Sequence, residues 1–260
     1  MQGLYKKIYK VLIALWIRLH ERKWKYNNKR IKYIHLKNKS TTLCVIFAGF
    51  PELGKKPVYY NYLRTLSRLR NMDCLFLLDD MVNIPTGGSY YLGCKGNYWG
   101  LKYVPAMISE FQKAGGYQKL ITAGSSKGGT CAILYGMLLH ADYILAGACQ
   151  YRIGTYLNCD YHIGSLRELT GENPVSKEAI ETLDSILIDA IRNNKHKSKT
   201  KIFLHYSNKE HTYKEHIEEL IADLKRYEYT LIENVESYTN HGDVGLYFPQ
   251  YMVNILQNII

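Results

Sequence analysis

The sequence predicts an α/β fold with a mostly parallel central sheet flanked by helices and a helical cap insertion. Three observations carry that expectation. Strand-like and helix-like segments alternate along residues 40–260, the order that threads parallel strands through helical crossovers. Thr42 to Phe47 is a largely apolar run ending at Ala48-Gly49-Phe50-Pro51, as a doubly buried strand does on entering a turn. Gly124-Ser125-Ser126-Lys127-Gly128 sits between a strand-like run and a helical one, a strand-to-helix elbow. With 260 residues, 47% of them hydrophobic and 22% charged, the chain suits one large globular domain, and no break in composition marks a second.

Taken in order, the elements begin with a helix over residues 4–19. Leu4, Ile8, Val11, Leu12, Leu15, Trp16 and Leu19 share one broad face, Lys6, Lys7, Lys10 and Arg18 lie opposite or flanking, and Ile13 and Ile17 interrupt the polar side. Two uses fit: an interfacial helix on an anionic membrane, or a helix packed on the body with a solvated basic side. Arg30 to Leu36 alternates like a half-buried strand, residues 57–70 have helical periodicity, and Cys74 to Leu78 form the next strand, with Asp79-Asp80 at its end. Residues 85–103, rich in Gly, Tyr and Trp, read as a loop, followed by a helix over 101–114 and a strand from Lys119 to Ala123. Beyond the elbow come a helix (127–140), a strand (142–149) and a polar insertion, residues 150–198, with a helix at 176–193 and the character of a cap. Lys201 to Tyr206, Tyr213 to Tyr227, Tyr229 to Val235 and Val244 to Ile260 complete the alternation as strand, helix, strand and helix.

The formal charge of +11 belongs wholly to residues 1–39, where twelve Lys and Arg meet the single acid Glu21; residues 40–260 hold twenty-two charges of each sign. A basic amphipathic arm (1–39) on a neutral catalytic body (40–260) is the expected organisation. A nucleic-acid enzyme would carry its positive charge around the active site, so no nucleic-acid partner is expected, while an anionic membrane surface is a candidate partner for the arm. The longest early apolar run, Val11 to Ile17, is too short to span a bilayer, and Arg18 to Lys23 stand where a signal peptide would have small residues. The six cysteines lack metal-ligand spacing and read as reduced thiols of a cytoplasmic protein, with peripheral attachment to the inner membrane face as an option. Neither metal nor cofactor is implied.

Chemistry concentrates at the elbow. G-x-S-x-G centred on Ser126 keeps the positions two before and two after the serine small, which a strained turn presenting a nucleophile requires; centring on Ser125 would put Ala123 and Lys127 there instead. The alternative is a glycine-rich turn cradling a phosphate, although no P-loop spacing is present. A serine nucleophile needs a base and an acid from later strand ends, in the order Ser, acid, His. His241, between the last strand and the last helix, is the candidate base. Glu210, in the turn after Lys201 to Tyr206, is the candidate acid, with Asn208 in the same turn and Asp160 in the insertion as alternatives. The backbone N–H groups of Lys127 and Phe50 are the candidate oxyanion donors, because Pro51 has no N–H to offer. Tyr90, Tyr91 and Trp99, with Tyr98 and Tyr103, form an aromatic loop suited to stacking a sugar or to core packing.

From the Ala-Gly-Phe-Pro turn through Ser126 to His241, residues 40–260 resemble the α/β-hydrolase superfamily. Gly-Ser-Tyr-Tyr-Leu-Gly at 88–93, Gly-Ser-Ser-Lys-Gly-Gly at 124–129 and Gly-Ala-Cys-Gln-Tyr-Arg-Ile-Gly at 147–154 are similar to two bacterial groups within it. These are the XcbB/CpsF capsular polysaccharide biosynthesis proteins and the accessory Sec system proteins that O-acetylate surface glycoproteins. Lys127 departs from the Met or Leu usual after the nucleophile, and Glu210 from the usual Asp. The resemblance implies serine-dependent acyl transfer in cell-surface glycan modification, with an acyl donor and a carbohydrate or ester substrate. A lipid or small-ester hydrolase, and a non-catalytic scaffold docked to a membrane through residues 1–39, are the alternatives.

Overall fold

The computed structural model describes residues 2–51, 59–81 and 88–260, with side chains from Val11 onward. Helix α1 (Gln2–His20) precedes strands β1 (Arg22–Tyr26), β2 (Lys29–Leu36) and β3 (Thr42–Ile46), the one-turn helix α2 (Leu63–Leu66) and β4 (Asp73–Leu78). Then α3 (Gly100–Gly115), β5 (Lys119–Ser125), α4 (Lys127–Leu138) and β6 (Tyr143–Gly147) lead into the helical insertion, α5 (Ile153–Leu157), α6 (Ile163–Thr170) and α7 (Lys177–Asn193). The chain closes with β7 (Lys201–Ser207), α8 (Glu218–Arg226), β8 (Thr230–Glu236) and α9 (Val244–Ile259).

The eight strands form one sheet in the order β1-β2-β4-β3-β5-β6-β7-β8. From β4 to β8 every neighbouring pair is parallel, whereas β2 runs antiparallel to both β4 and β1. Because successive side chains of a strand point to opposite faces, each central strand feeds two cores. Leu43, Val45, Leu75, Leu77, Ile144, Ala146, Ile202 and Leu204 meet α3, α4, the insertion and α8 on one face. Cys44, Ile46, Cys74, Phe76, Ile121, Leu145 and Phe203 meet α2 and α9 on the other.

Several sequence expectations change at the edges. β1 was not anticipated: Arg-Lys-Trp-Lys-Tyr has no apolar pattern, and the strand stands on its backbone register with β2 and on Trp24, whose Nε1–H donates to Glu110 Oε2 at 2.6 Å. The arm does not end at residue 39, because Ile31 and Ile34 of β2 are fully buried, one in each core. Of the three described elements of the arm, β1 and β2 belong to the sheet and α1 lies outside it. It uses both faces: Trp16 and Ile17 pack on the α9 side of the body, while Val11, Leu12, Leu15 and Leu19 remain exposed. The helix expected over 57–70 is reduced, among the described residues, to Leu63–Leu66. Tyr62 holds a left-handed φ of 58°, its ring against Phe248 and its hydroxyl bonded to that of Ser125, and a helix cannot run through that conformation. Residues 52–58 and 82–87, and with them parts of that helix and of the 85–103 loop, lie outside the described residues. The 150–198 insertion divides in two: α7 packs against α4 and α5 within the core layer, and the α5–α6 connection approaches the sheet's C-terminal end.

Candidate active site

The elbow follows from steric demands that can be read atom by atom. β5 ends at Ser125, α4 starts at Lys127, and Ser126 between them has φ 54° and ψ −129°. A non-glycine residue there stores about 1–3 kcal/mol of strain and persists only when its surroundings over-determine it. They do: Ser126 N–H donates to Gly147 O at 2.7 Å, and Ser126 O accepts from the N–H groups of Gly129 and Thr130 at 2.8 and 3.1 Å. A Cβ on Gly124 would lie 2.3 Å from Gly128 O, and one on Gly128 would lie 2.4 Å from Phe47 O. Both positions are glycine because backbone there abuts backbone.

His241 opens a short turn between β8 and α9, and Glu210 follows β7, so parallel topology delivers both to the end of the sheet where Ser126 stands. His241 Nε2 is 2.8 Å from Ser126 Oγ, and His241 Nδ1 is 2.8 Å from Glu210 Oε2. The second Glu210 oxygen accepts from the Thr212 hydroxyl at 2.7 Å. Burial alone would raise the Glu210 carboxyl, but hydrogen bonds from His241 and Thr212 and the proximity of His211 outweigh it and hold the pKa below the ordinary carboxylate value. The anionic carboxylate fixes the proton of His241 on Nδ1, which leaves Nε2 free to accept from the Ser126 hydroxyl. The alternatives for this position, Asn208 and Asp160, are both exposed, whereas Glu210 is buried against the imidazole.

The turn Ala48-Gly49-Phe50 adjoins the elbow, since a Cβ on Gly49 would sit 3.4 Å from Ser125 O. Gly49 N–H donates to Asn61 Oδ1 at 3.1 Å, so it is spoken for within the fold. The Lys127 side chain is fully buried, with Nζ 5.5 Å over the Phe50 ring. Tyr90 and Tyr91 do not form a substrate platform: both are fully buried in the core, Tyr91 edge-on to Phe47 and Tyr90 edge-on to Phe50. Trp99 likewise belongs to the loop's own packing, against Gly93, Tyr103 and the Lys29 ammonium.

The sequence reading assigned no role to three residues at this end of the sheet. Gln150 donates from Nε2 to Ser126 Oγ at 3.3 Å, and is itself held by Tyr90, whose hydroxyl donates to Gln150 Oε1 at 3.2 Å, and by Thr130. Its signal was available: it follows β6, the strand beside β5, and ligands gather outside the carboxyl ends of parallel strands. His162 of the insertion packs at a tilt against Phe50, with ring centroids 4.7 Å apart, and against Tyr156 at 5.0 Å, and burial, with His241 nearby, pushes its pKa down to about 4. Asp79, at the end of β4, is the third. Among the described residues no cluster of His, Cys, Asp and Glu is arranged to hold a metal ion.

No protein-family model matches the sequence, and no curated protein sequence is similar to it. Solved structures are similar in fold. The capsule O-acetyltransferase of Neisseria meningitidis serogroup A, in complex with CoA, superposes with a TM-score of 0.72 at 19% identity, covering 92% of this chain and 95% of that one. A glycosylation-associated protein complex of Streptococcus agalactiae gives 0.70 at 17% identity, covering 93% of this chain and 47% of that one. A fluorophosphonate-binding serine hydrolase of Staphylococcus aureus gives 0.63 at 11% identity, with 91% and 97% covered. The chain has the α/β-hydrolase fold and resembles these groups within it.

Proposed function

We propose that the chain is a serine-dependent acyltransferase or esterase that moves an acyl group through a Ser126 ester. The single observation that carries this reading is the continuous relay Ser126 Oγ, His241, Glu210, with both contacts at 2.8 Å. In that relay Ser126 Oγ attacks the acyl carbonyl while His241 Nε2 takes its proton, and Glu210 stabilises the imidazolium that results. The oxyanion faces the N–H groups of Lys127, at the N-terminus of α4, and of Phe50. His241 then returns the proton to the leaving group. A hydroxyl of the acceptor, deprotonated by the same imidazole, takes the acyl group from Ser126.

The acceptor is a sugar hydroxyl of a bacterial surface glycan and the donor an acyl thioester of the CoA type, in line with the neighbour that modifies a capsule and is bound to CoA. Hydrolysis is the second reading, favoured by the serine-hydrolase neighbour. A non-catalytic scaffold has no use for an intact relay on a strained serine. The basic arm adds docking to an anionic membrane: α1 exposes Val11, Leu12, Leu15 and Leu19 beside the chain's excess of Lys and Arg.

The test is covalent labelling with a fluorophosphonate, alongside release of CoA from acetyl-CoA with and without a glycan acceptor. Labelling and turnover should be lost in Ser126→Ala, by about 10⁴-fold or more in rate, with the thermal midpoint nearly unchanged because the Cβ and its strain are retained. Labelling that survives in Ser126→Ala moves the nucleophile elsewhere. CoA release indifferent to the glycan favours hydrolysis over transfer.

A further inference from the structure

Behind the elbow lies a buried ion pair that the relay does not use. Lys127 Nζ is 2.7 Å from Asp79 Oδ2, and both side chains have no exposure. Asp79 accepts three more hydrogen bonds, from Ser89 N–H at 2.8 Å, Ser89 Oγ–H at 2.8 Å and Tyr91 N–H at 3.2 Å. Tyr91 carries the connection onward: its hydroxyl donates to Leu77 O at 2.9 Å and accepts from Ala48 N–H at 2.9 Å, in the turn that leads to Phe50. The ammonium also lies 4.7 Å over the Tyr91 ring. Gly88 closes the assembly, since a Cβ there would fall 2.9 Å from Phe50 Cε1 and 3.0 Å from Lys127 Cε. Lys127 and Phe50, far apart in the chain, are thereby tied to one carboxylate.

Burying two charges is costly, and well-packed apolar residues of similar size commonly stabilise a fold as well or better. Stability alone therefore does not account for Lys127 where a Met or Leu would fill the space. What the pair adds is geometry, because a carboxylate accepting four directed bonds has a single position, and the elbow and the turn inherit it.

We infer that the Asp79–Lys127 pair is a positioning element for acyl transfer, fixing the separation of the Lys127 and Phe50 N–H groups that receive the oxyanion. The inference rests on the reading of Ser126 as nucleophile. Asp79 and the Lys127 side chain act through those backbone donors.

The experiment uses the full-length chain with p-nitrophenyl acetate and a fluorophosphonate. Asp79→Asn combined with Lys127→Met removes both charges together and avoids leaving one unpaired. Loss of a well-set oxyanion donor typically costs on the order of a hundredfold in kcat. The double variant should lose about that much in kcat and in labelling rate, with KM within a few-fold and an unshifted or higher thermal midpoint. Ser89→Ala, which deletes one bond to Asp79 and cannot strand a charge, should lower kcat several-fold with the same pattern. Wild-type kcat in a folded double variant overturns the inference, as does a change confined to KM. Should the double variant fail to fold, Ser89→Ala decides: unchanged kcat refutes the role. Failure of the underlying reading looks different, because Ser126→Ala would then still be labelled.

Discussion

The elbow at residues 124–128 and the N-terminal region at residues 2–36 solve opposite problems. At the elbow nearly every atom is buried, two glycines are imposed by backbone contacts of 2.3 and 2.4 Å, and the one strained residue is held by three backbone hydrogen bonds. In the N-terminal region, β2 reaches both cores through Ile31 and Ile34, but α1 leaves four apolar side chains in water beside most of the chain's excess charge. One region is determined from within; the other is finished only where it meets something else. The contrast teaches that a rare conformation can be the more predictable one, because few residue types survive it.

The most severe way to break the contrast is to treat the two halves of the arm alike. Deleting residues 1–39 removes β1 and β2 and should yield an aggregated or unfolded chain, whereas deleting 1–20 should leave a cooperatively folded one, as read by circular dichroism and a melting transition. A folded product of the longer deletion would mean that Ile31 and Ile34 are dispensable. Next comes Gly128→Ala, whose new methyl meets Phe47 O; it should cost about 3 kcal/mol or more in urea-unfolding free energy and reduce fluorophosphonate labelling by at least tenfold.

Acid should then probe both regions together. His35 in β2, His162 in the insertion and His216 before α8 are all pushed down to about 4 by burial, from an ordinary value of 6.5. Between those values the unfolded chain binds protons that the folded chain refuses, so stability falls as pH drops from about 6.5 towards 4, by at most about 1.4 kcal/mol per unit for each histidine. Glu210 has the opposite origin: its depressed pKa contributes stability that is complete above the ordinary 4.5 and is lost as pH falls through the folded value. Urea midpoints measured from pH 7 to 5 should decline, and His216→Gln should flatten the slope if it retains the fold. The smallest effect on stability belongs to α1. Leu12→Ser with Leu15→Ser should shift the unfolding free energy by no more than about 0.5 kcal/mol while weakening co-sedimentation with anionic vesicles; unchanged sedimentation would sink membrane docking by this face.

The contrast also explains what could be read in the sequence. That Ser126, Glu210 and His241 meet was legible because each follows a strand of the parallel sheet, and topology gathers strand ends before any side chain is considered. For Tyr90 and Tyr91 the sequence left a sugar platform and core packing both open, since in a glycine-rich loop no period separates buried rings from exposed ones. Asp79 was visible as a strand-end acid, yet nothing in the sequence marks Lys127, 48 residues on, as its buried partner. β1 was invisible because four of its five residues are exposed and only Trp24 is half-buried, so no apolar alternation marks it.

That plain strand has a consequence of its own. Among the described residues β1 ends the sheet, and an outer edge of that kind presents peptide groups that can recruit further strands. Arg22, Lys23 and Lys25 line this edge, so two copies approaching edge to edge bring like charges together, and the nascent polymer is repelled before its first hydrogen bond forms. Part of the basicity of the arm thus works against edge-to-edge growth of the sheet, and neutralising those three residues should promote fibrils while leaving the Ser126 end of the sheet untouched.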